Sequence, residues 1–498
     1  MSNQSRREFL ENSMLAASAA IGTSFVPLGA FAAPGSSSPN ERLRVAVLGV
    51  NGRGKSHIGG FGRRKDCEIA VVCDPDESVG GKRAEEVSKK YGYKCAFEQD
   101  LRKVMDDKSI DIVTIATPNH WHSLAGIWAL QAGKDVYVEK PVSHNVSEGR
   151  RLVQAARKYK RICQAGTQCR SMQGMRDAIA YVHDGKIGKV NLARGLCYKR
   201  RNSIGPKGSY DVPAGVDYNL WAGPAPDSTI TRGRFHYDWH WQWEYGNGDM
   251  GNQGIHQMDL ARWGLQIDDL GDGVLSYGGR LGYVDAGETA NTQINIHTSG
   301  EKTLVFETRG LETPSYIASR GWKEQPKKNS NEVGLIFEGS DGYVVIASYM
   351  GGAAFDLDGK KRDVNLFGGD GNAHWNNFID GVRSRKIEDL NGEVLEGHLS
   401  SAFCHLGNIS YRLGAPMSAK AIERKLDGSD EAVETFQRTA RHLIDRGVDL
   451  EETPLTFGAD LKLDGKAEVF TGAGAKQANP ALTRNYRKGF VVPSEQNL

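Results

Sequence analysis

The chain has 498 residues, which is too many for one compact core and predicts two domains with additional tails. Its 39% hydrophobic and 25% charged residues are typical of ordinary globular proteins. The net charge of +2 excludes a large basic surface, so we expect no nucleic-acid partner.

The N-terminal segment has the features of an export signal. Residues 5–10 read SRREFL, an apolar stretch covers residues 14–33, and a small-residue cleavage site ends at Ala32. We predict a twin-arginine signal peptide over residues 1–33, cleavage near Ala32, and a periplasmic or otherwise exported protein that uses the twin-arginine export machinery. A membrane anchor is the alternative, but the stretch is rich in Ala, Ser and Gly and contains Pro27, which suits a membrane span poorly.

After a Pro/Ser/Gly linker over residues 34–42, strands and helices alternate along the chain. This alternation predicts βαβ units, and hence a doubly wound α/β domain with a parallel sheet and right-handed crossovers. We assign it residues 43–168. The predicted strands cover residues 44–49, 68–73, 110–116 and 134–139, and the predicted helices cover residues 84–91 and 123–132.

A glycine-rich turn follows the first predicted strand. Gly49, Asn51 and Gly54 align with the pattern G-x-G-x-x-G, with Asn in place of the middle glycine, and Gly52 adds local freedom. Such a turn lets the backbone approach a pyrophosphate, and the N-terminus of the following helix offers N–H groups to the anion. We therefore expect these four residues and Arg53 to bind a dinucleotide; an ordinary Gly-rich loop is the alternative.

The second predicted strand ends at Asp74, roughly 20 residues after the turn, as in dinucleotide-binding domains. A carboxylate at this place accepts hydrogen bonds from ribose hydroxyls and repels a 2′-phosphate, which favours NAD over NADP. A strand-ending turn at Asp74-Pro75-Asp76 is the alternative. Together with the glycine turn, Asp74 identifies residues 43–168 as a Rossmann domain that binds NAD.

Two polar segments follow later strands, at the sheet edge where ligands bind in this architecture. Residues 117–122 read TPNHWH and residues 139–141 read EKP. A lysine in the crevice can donate to a substrate hydroxyl or carbonyl and stabilise a developing alkoxide; a solvated surface lysine is the alternative. The residues that we expect to contact the cofactor here are Thr117, Pro118, Asn119, His122, Glu139 and Lys140.

From residue 169 the pattern changes to strands with few helices between them. We predict an α+β domain over residues 169–426 with a large, mostly antiparallel open sheet, followed by a C-terminal extension over residues 427–498. An open sheet with an aromatic surface predicts a homo-oligomer, either a dimer or a tetramer. The predicted strands cover residues 190–198, 292–298, 302–309, 334–338 and 342–347, and the predicted helices cover residues 175–183, 375–383, 398–413 and 431–445.

A third candidate site lies in the segment GNQGIH, residues 251–256. Asn252 and His256 are four residues apart, so a helix would place them on one face. A histidine of near-neutral pKa can take a hydroxyl proton as hydride leaves the carbon. We expect both side chains at the substrate; a hydrogen-bonded packing histidine is the alternative.

Aromatic residues are concentrated between Trp221 and Trp243. Aromatic faces stack on the C–H surfaces of sugars, and ligand pockets combine such apolar walls with a few polar groups. We expect Tyr198 and Trp239 to contact the substrate. Packing in the core or at a subunit interface is the alternative for each of these rings.

The seven cysteines show no pattern of a metal site or a disulfide framework. They are scattered from Cys67 to Cys404 without CxxC or Cys/His spacing. We predict buried thiols for most of them and no metal, while one disulfide stays open for an exported protein.

Taken together, the motifs resemble those of the Gfo/Idh/MocA family, which is named for glucose–fructose oxidoreductase and inositol dehydrogenase. The resemblance rests on the glycine turn, the TPN-x-x-H segment, EKP and the late histidine, and it covers roughly residues 43–413. It implies that Lys140 and His256 are the catalytic pair. It also implies that Gln168 and Arg170 lie on the substrate side; hinge packing is the alternative for these two.

One position departs from the family pattern. An Asp commonly lies four residues before the histidine in this family, and this chain has Asn252 there. An amide can orient a hydroxyl but cannot carry a proton or a negative charge. Asn252 therefore cannot take part in a Lys–Asp–His proton relay.

The expected function is NAD-dependent hydride transfer at a CH–OH group of a sugar, polyol or sugar derivative. His256 would remove the hydroxyl proton, Lys140 would polarise the oxygen and Asn252 would hold a neighbouring hydroxyl. An exported enzyme meets little free NAD, so a redox-cycling NAD-dependent glycoside hydrolase, which oxidises and then re-reduces its substrate, is the alternative. A non-catalytic sugar binder that keeps a relic nucleotide fold is the third reading.

Overall fold

A computed structural model of the protein describes residues 42–321 and 332–498. The predicted signal peptide over residues 1–33 and all but the last residue of the predicted linker lie outside the described residues. Among the helices of the described part, none is long and apolar enough to cross a membrane.

The first domain alternates strands and helices. Its elements are β1 (Leu43–Leu48), α1 (Gly54–Gly62), β2 (Cys67–Cys73), α2 (Glu77–Tyr91), β3 (Ala96–Glu98), α3 (Leu101–Asp106), β4 (Ile112–Ile115), α4 (Asn119–Gln131), β5 (Asp135–Val138), α5 (Val146–Lys158) and β6 (Cys163–Ala165). The strands pair in the order β3-β2-β1-β4-β5-β6, and every pair is parallel. The order reverses between β1 and β4, which is the point where doubly wound sheets bind their ligands.

The buried strands explain why this domain is predictable. Residues 45–48 of β1 and the whole of β4 and β5 are buried, as expected for parallel strands that are covered by helices on both faces. Near-continuous apolar runs in the sequence produce these strands. The Rossmann prediction is confirmed, and β3, α3, α5 and β6 are elements that it did not include.

The second domain is built around a larger, mixed sheet. Its elements are α6 (Gln173–His183), β7 (Val190–Tyr198), α7 (Tyr218–Ala222), α8 (Ile255–Gly264), β8 (Gly273–Gly279), β9 (Thr292–Ser299), β10 (Lys302–Arg309), α9 (Tyr316–Ser319), β11 (Glu332–Gly339), β12 (Gly342–Ser348), β13 (Gly351–Phe355), β14 (Leu366–Phe367), α10 (Ala373–Ser384), α11 (Val394–Arg412), β15 (Ala415–Met417), α12 (Ala419–Leu426), α13 (Asp430–Asp445), β16 (Leu455–Phe457), β17 (Leu461–Asp464), β18 (Val469–Thr471) and α14 (Ala475–Ala478). The main strand order is β14-β13-β12-β11-β7-β10-β9-β8-β16-β15. Most neighbours are antiparallel, while β7 and β10 are parallel. The predicted fold class is confirmed.

Each face of the central part of this sheet packs on helices. Helices α6, α8 and α11 cover one face, where Phe306 and Phe337 of the sheet lie in the largest hydrophobic cluster. Helices α12 and α13 cover part of the other face, where Phe436 packs against Tyr277. The prediction of a homo-oligomer assumed that one face of this sheet is open. Helices of the same chain cover part of that face, so the homo-oligomer stays a prediction.

The C-terminal residues belong to both domains rather than forming a separate extension. Strand β16 lies between β15 and β8, so it completes the large sheet. The last residues then return to the first domain, where the ring of Phe490 lies 5.6 Å from the ring of Trp121. Leu498 belongs to the same cluster. The predicted helix over residues 431–445 agrees with α13, and strands β16, β17 and β18 follow it.

The structure agrees with the prediction that most of the cysteines are buried thiols. Each of the seven cysteines is buried and none forms a disulfide, and all seven lie within the described residues. Burial raises the pKa of Cys67 and of Cys95 to about 12, so both thiols stay protonated at neutral pH. The prediction of buried thiols is confirmed.

We predict that Phe490→Ala loosens the C-terminal tail, because Phe490 is only 4% exposed and packs on the aromatic rings of α4. A buried Phe→Ala change costs about 3–5 kcal/mol. Urea unfolding and limited proteolysis should show a fall of about 3 kcal/mol in the unfolding free energy and faster cleavage within residues 479–498. The neighbouring Val491 is 54% exposed, so Val491→Ala should change stability by less than about 0.5 kcal/mol. Equal effects of the two substitutions would contradict the packing described here.

Candidate active site

The glycine turn lies at the switch point of the first sheet. Gly49 follows β1 with φ of +77°, a conformation that side chains rarely adopt. A Cβ atom at Gly49 would meet the main chain of Ala116, and one at Gly54 would overlap the carbonyl oxygen of Gly49. Helix α1 begins at Gly54. Two of the predicted glycine positions therefore require glycine for close backbone packing.

Asp74 supports this turn directly. Its Oδ2 accepts a hydrogen bond of 2.8 Å from the N–H of Val50, and its Oδ1 accepts one of 3.1 Å from the N–H of Asp76. Burial raises the pKa of the Asp74 carboxyl, and these two hydrogen bonds oppose that rise. The carboxylate thus fixes the turn and lies at its predicted place, the end of β2. Its hydrogen bond to a ribose stays a prediction.

A cleft of about 220 Å³ opens above the turn. Seven of the predicted cofactor residues line it, namely Gly49, Asn51, Gly52, Arg53, Asp74, Thr117 and Pro118. The opposite wall is aromatic and comes from the segment between β7 and α8, with Trp221, His236, Tyr237, Trp239 and His240. The site has a main-chain cradle at a helix N-terminus, a carboxylate at the end of β2 and flat apolar walls, so these residues fit a dinucleotide.

The segment of residues 199–247, which we call the covering segment, is attached to the first domain beside this cleft. Asp76 and Val216 form a β-bridge, and the N–H of Glu77 donates to the carbonyl of Gly215 at 3.0 Å. His236 Nε2 lies 2.9 Å from Asp76 Oδ2. The aromatic residues predicted to stack on a sugar therefore lie largely against the nucleotide cleft. This includes Trp239, which lines the cleft together with the glycine turn.

Glu139 joins the glycine turn to the end of β5. Its Oε1 accepts hydrogen bonds from Arg53 Nε at 2.6 Å and from His57 Nε2 at 3.1 Å. Burial alone would raise the pKa of Glu139, but the charge of Arg53 and the hydrogen bond from His57 hold it well below its usual value. The ionised carboxylate is thus a buried anchor between the turn and Lys140.

Lys140 and the segment that carries His256 meet across the two domains. Nζ of Lys140 donates a hydrogen bond to the main-chain oxygen of Asn252. Asn252 lies in a π-helical turn, Met250–Gly254, which leads directly into α8. Single π-turns of this kind occur frequently at functional sites. The structure therefore brings together Lys140, Asn252 and His256, although Asn252 contributes its backbone oxygen and not the side chain that we expected to hold a hydroxyl.

The electrostatics of the pair differ between its two members. Burial lowers the pKa of Lys140 to about 8. Burial also lowers the pKa of His256 well below its usual value, and the charge of Lys140 adds to this effect. His256 Nδ1 is buried and has no hydrogen-bond partner among residues 42–321 and 332–498. The histidine is neutral at pH 7, while the lysine titrates close to neutrality.

Three further side chains surround the pair and were not expected from the sequence. Tyr349 packs edge-on against the His256 ring at 5.3 Å and its hydroxyl accepts a hydrogen bond of 2.6 Å from Gln253 Nε2. Lys199 Nζ donates to Gln253 Oε1 at 3.4 Å. Gln253 lies within the segment we singled out, but Tyr349 is nearly one hundred residues away at the end of β12. Only the fold shows that these residues meet.

His122 and Asn119, predicted to contact the cofactor, also hold neighbouring loops in place. His122 is buried, with Nδ1 2.6 Å from the carbonyl oxygen of Pro141 and Nε2 2.8 Å from that of Thr117. Asn119 Nδ2 donates to Asn247 Oδ1 at 3.0 Å. The contact of these two side chains with the cofactor stays a prediction.

Two of the expected substrate residues are engaged elsewhere. Arg170 is buried and donates to both carboxylate oxygens of Asp259, at 2.8 and 2.9 Å. Tyr198 is also buried, and its hydroxyl donates to Glu307 at 2.7 Å. The structure shows both in packing and charge pairing inside the second domain, and the expectation that they bind substrate stays a prediction. Gln168 lies next to Arg170, and its buried Oε1 has no partner in the described part of the chain, so its role stays a prediction.

Comparison with known families follows the same division of the chain. Residues 43–167 match a family model described as an oxidoreductase family with an NAD-binding Rossmann fold. Residues 195–275 match the model of the C-terminal alpha/beta domain of that family. The first match contains Asp74 and Lys140, and the second contains His256. The matched parts of the chain, residues 43–167 and 195–275, belong to the Gfo/Idh/MocA oxidoreductase family. The predicted family and its cofactor, NAD, are confirmed.

Similar proteins of known name include glycoside hydrolases and a dehydrogenase. A glycosyl hydrolase family 109 protein from Shewanella sp. (strain ANA-3) is 32% identical over 127 residues, and the α-N-acetylgalactosaminidase of Shewanella oneidensis is 30% identical over 127 residues. Each match covers 25% of this chain and only 28% of the relative's length. The WlbA dehydrogenase of Bordetella pertussis, in complex with NADH and UDP-GlcNAcA, has a TM-score of 0.55 at 18% identity and covers 74% of this chain and 97% of that one. This last likeness shows a shared fold.

We predict that Gly54→Ala impairs NAD binding, because the added methyl group would overlap the carbonyl oxygen of Gly49 and displace the turn. The matched control is Gly59→Ala in the same helix, since a Cβ atom at Gly59 meets only the Arg63 side chain, at an ordinary contact distance of 3.7 Å, and Gly59 does not line the cleft. Calorimetric titration of nucleotide-free protein should show NAD affinity reduced roughly tenfold or more for Gly54→Ala, equivalent to the loss of one or two main-chain contacts to the phosphates. Near-normal affinity is expected for Gly59→Ala. If both variants bind NAD equally, the turn does not hold the pyrophosphate.

Proposed function

We propose that this Gfo/Idh/MocA protein is an exported NAD-dependent oxidoreductase that acts on a CH–OH group of a sugar, polyol or sugar derivative. The observation that carries the proposal is the placement of Lys140. Lys140 lies half-buried at the end of β5. Its main-chain N–H donates to Glu139, which pairs with Arg53 of the glycine turn, and its Nζ donates to the main-chain oxygen of Asn252 in the segment of His256. A titratable cation at the meeting point of a dinucleotide cleft and a second domain suits proton transfer at a carbinol.

The pKa values assign the two side chains different tasks in the proposed reaction. NAD⁺, when bound, supplies the acceptor for the hydride that leaves the carbinol carbon. Lys140 in its neutral form takes the hydroxyl proton, because a base is most effective when its pKa lies near the working pH. The neutral imidazole of His256 positions the same hydroxyl through its Nδ1, which has no partner among the described residues. This reverses the roles expected from the sequence, where His256 was the base.

The remaining side chains hold the substrate and exclude water. Tyr349, Gln253 and Lys199 form a connected hydrogen-bonded group beside the pair and offer both donors and acceptors to sugar hydroxyls. Asp74 and the glycine turn favour NAD over NADP, since a buried carboxylate there disfavours a 2′-phosphate. The covering segment lines one wall of the nucleotide cleft with aromatic rings.

The pH dependence of the oxidation step tests the role of Lys140. Its folded pKa is lowered from 10.5 to about 8, so the neutral base is scarce at pH 6 and abundant at pH 9. Single-turnover NADH formation should therefore rise with pH around a midpoint near 8, and the reverse reduction should fall over the same range. Lys140→Arg stays charged, so it should lose the pH dependence and slow oxidation by roughly 10²–10⁴-fold.

Lys199→Gln supplies the control for this experiment. The charge of Lys199 lowers the pKa of Lys140, so its removal should move the midpoint to higher pH while oxidation continues. A pH profile that is unchanged in Lys140→Arg would overturn the assignment of Lys140 as the proton acceptor.

A redox-cycling glycoside hydrolase is the second candidate, favoured by the names of the two Shewanella relatives. Oxidation of a ring hydroxyl to a ketone acidifies the adjacent C–H. Loss of that proton and of the glycosidic oxygen gives an unsaturated ketone, to which water adds. The ketone then regains the same two electrons, so NAD is unchanged overall and exchange with free nucleotide is unnecessary.

Product analysis separates the two candidates. A net dehydrogenase accumulates NADH with sugar and added NAD⁺, and this is the outcome we expect. A redox-cycling hydrolase releases nitrophenol from a 4-nitrophenyl α-N-acetylgalactosaminide without net NADH. Lys140→Ala should abolish either activity, because both share the oxidation step. If sugar binds but neither activity is found with the unchanged protein, the chain is a non-catalytic binder and the proposal fails.

A further inference from the structure

A second cavity, of about 310 Å³, lies away from the nucleotide cleft and has no residue in common with its lining. It is enclosed by the turn after the EKP segment, the end of the covering segment, helix α11 and the C-terminal tail. Its volume falls within the range of small-molecule sites, roughly 300–1,000 Å³. The polar residues used below are His144, Trp243, Glu244, His405, Arg412 and Arg484.

The contact with Arg484 shows which nitrogen of the His144 ring carries the proton. Arg484 Nη1 lies 3.3 Å from His144 Nδ1, and a guanidinium can only donate, so Nδ1 is the acceptor. Burial lowers the pKa of His144 well below its usual value, and the charge of Arg484 adds to this, so the ring is neutral. Its proton is therefore on Nε2. This buried N–H has no acceptor in residues 42–321 or 332–498.

The two arginines add further donors. Arg484 Nη1 also donates to the carbonyl of Glu244 at 2.8 Å, whereas its buried Nη2 has no partner within the described ranges. The Arg484 charge is partly offset by Glu148, whose Oε1 lies 3.5 Å away. Arg412 stacks on Trp243 at 5.0 Å and forms no ion pair within 4 Å among the described residues. Glu288, which accepts from the N–H of Trp243, acts on the Arg412 charge only from beyond ion-pair distance.

The rest of the lining suits a hydroxylated molecule. His405 is 3% exposed, and its Nδ1 is another buried atom without a partner in the part of the chain that the structure describes. Glu244 is held by a 2.9 Å hydrogen bond from Ser228 Oγ to its Oε1 and can accept from a ligand hydroxyl. Trp243 supplies an apolar wall. Buried donors without acceptors are costly unless a ligand or solvent satisfies them.

We propose that this cavity is a second binding site, for a small hydroxylated ligand that carries a carboxylate or phosphate group. The anionic oxygens accept hydrogen bonds from Nε2 of His144, from Nη2 of Arg484 and from the guanidinium of Arg412, and Glu244 accepts one from a hydroxyl of the ligand. The cavity is separate from the nucleotide cleft, because the two share no lining residue, and it contains neither Lys140 nor His256.

The test is calorimetric titration of the full chain, with its bound cofactor, using D-glucuronate, D-glucose 6-phosphate and D-glucose. At least one of the two acids should bind and neutral glucose should bind far more weakly. Binding of glucuronate alone identifies a carboxylate as the recognised group, and binding of the phosphate ester alone identifies a phosphate. Binding of glucose as tight as that of the acids overturns the proposal, as does the absence of binding by both acids.

Two variants locate the binding. Arg412→Gln removes the charge at the exposed end of α11 and should weaken acid binding roughly tenfold or more, as loss of a charge-assisted hydrogen bond does. Arg424→Gln, on an exposed position of α12 outside the cavity, is the matched control and should bind as the unchanged protein does. Arg484→Lys keeps the positive charge but loses the planar set of guanidinium N–H donors, so it should also weaken binding. Unchanged affinity in both Arg412→Gln and Arg484→Lys would place the ligand elsewhere and overturn the assignment.

Discussion

The buried carboxylate of Glu139 is the interaction on which the candidate active site depends. It accepts from Arg53 of the glycine turn and from His57 of α1, and it lies next to Lys140 in sequence. An ionised group in the interior is tolerated only when it is paired and hydrogen-bonded, which Arg53 and His57 provide. One charge cluster therefore fixes both the surface that accepts the dinucleotide and the position of the proton-transfer lysine.

The second domain completes the site from this fixed point. Lys140 reaches the main-chain oxygen of Asn252, so the π-turn before α8 is placed relative to β5 by a direct hydrogen bond between the domains. The covering segment attaches to the first domain through Asp76 and places aromatic rings over the cleft. The tail adds a further link, since Phe490 packs on Trp121. The relative position of the two domains thus follows from several separate contacts rather than from the sheet alone.

The sequence predicts local and covalently adjacent features well. The strands of the first domain, the need for glycine at Gly49 and Gly54, and the position of Asp74 all follow from short patterns with a physical cause. The expected meeting of Lys140 with the segment of His256 came from family resemblance, and the structure agrees with it. These features depend on residues that are close along the chain or on motifs at known places in the fold.

The contacts that the sequence does not reveal join residues that are distant along the chain. Arg170 donates to Asp259, Tyr198 donates to Glu307, and His122 lies between two main-chain carbonyls. The residues that neighbour them in the sequence do not reveal these partners. Likewise Tyr349 carries no motif and becomes a site residue only because β12 ends beside α8. An aromatic-rich stretch predicts an apolar wall, but the sequence does not show which part of the site the wall faces. The structure places these rings largely at the cleft above the glycine turn.

A crystal structure of the protein with NAD and a bound sugar would test the central claim most directly. The account predicts that the pyrophosphate crosses the glycine turn, that the ribose meets Asp74, and that the nicotinamide lies beside Lys140. The reacting carbinol carbon should then be about 3–3.5 Å from the nicotinamide ring, with its oxygen between Lys140 and His256. A nicotinamide directed away from Lys140, or a sugar that contacts neither side chain, would contradict the account.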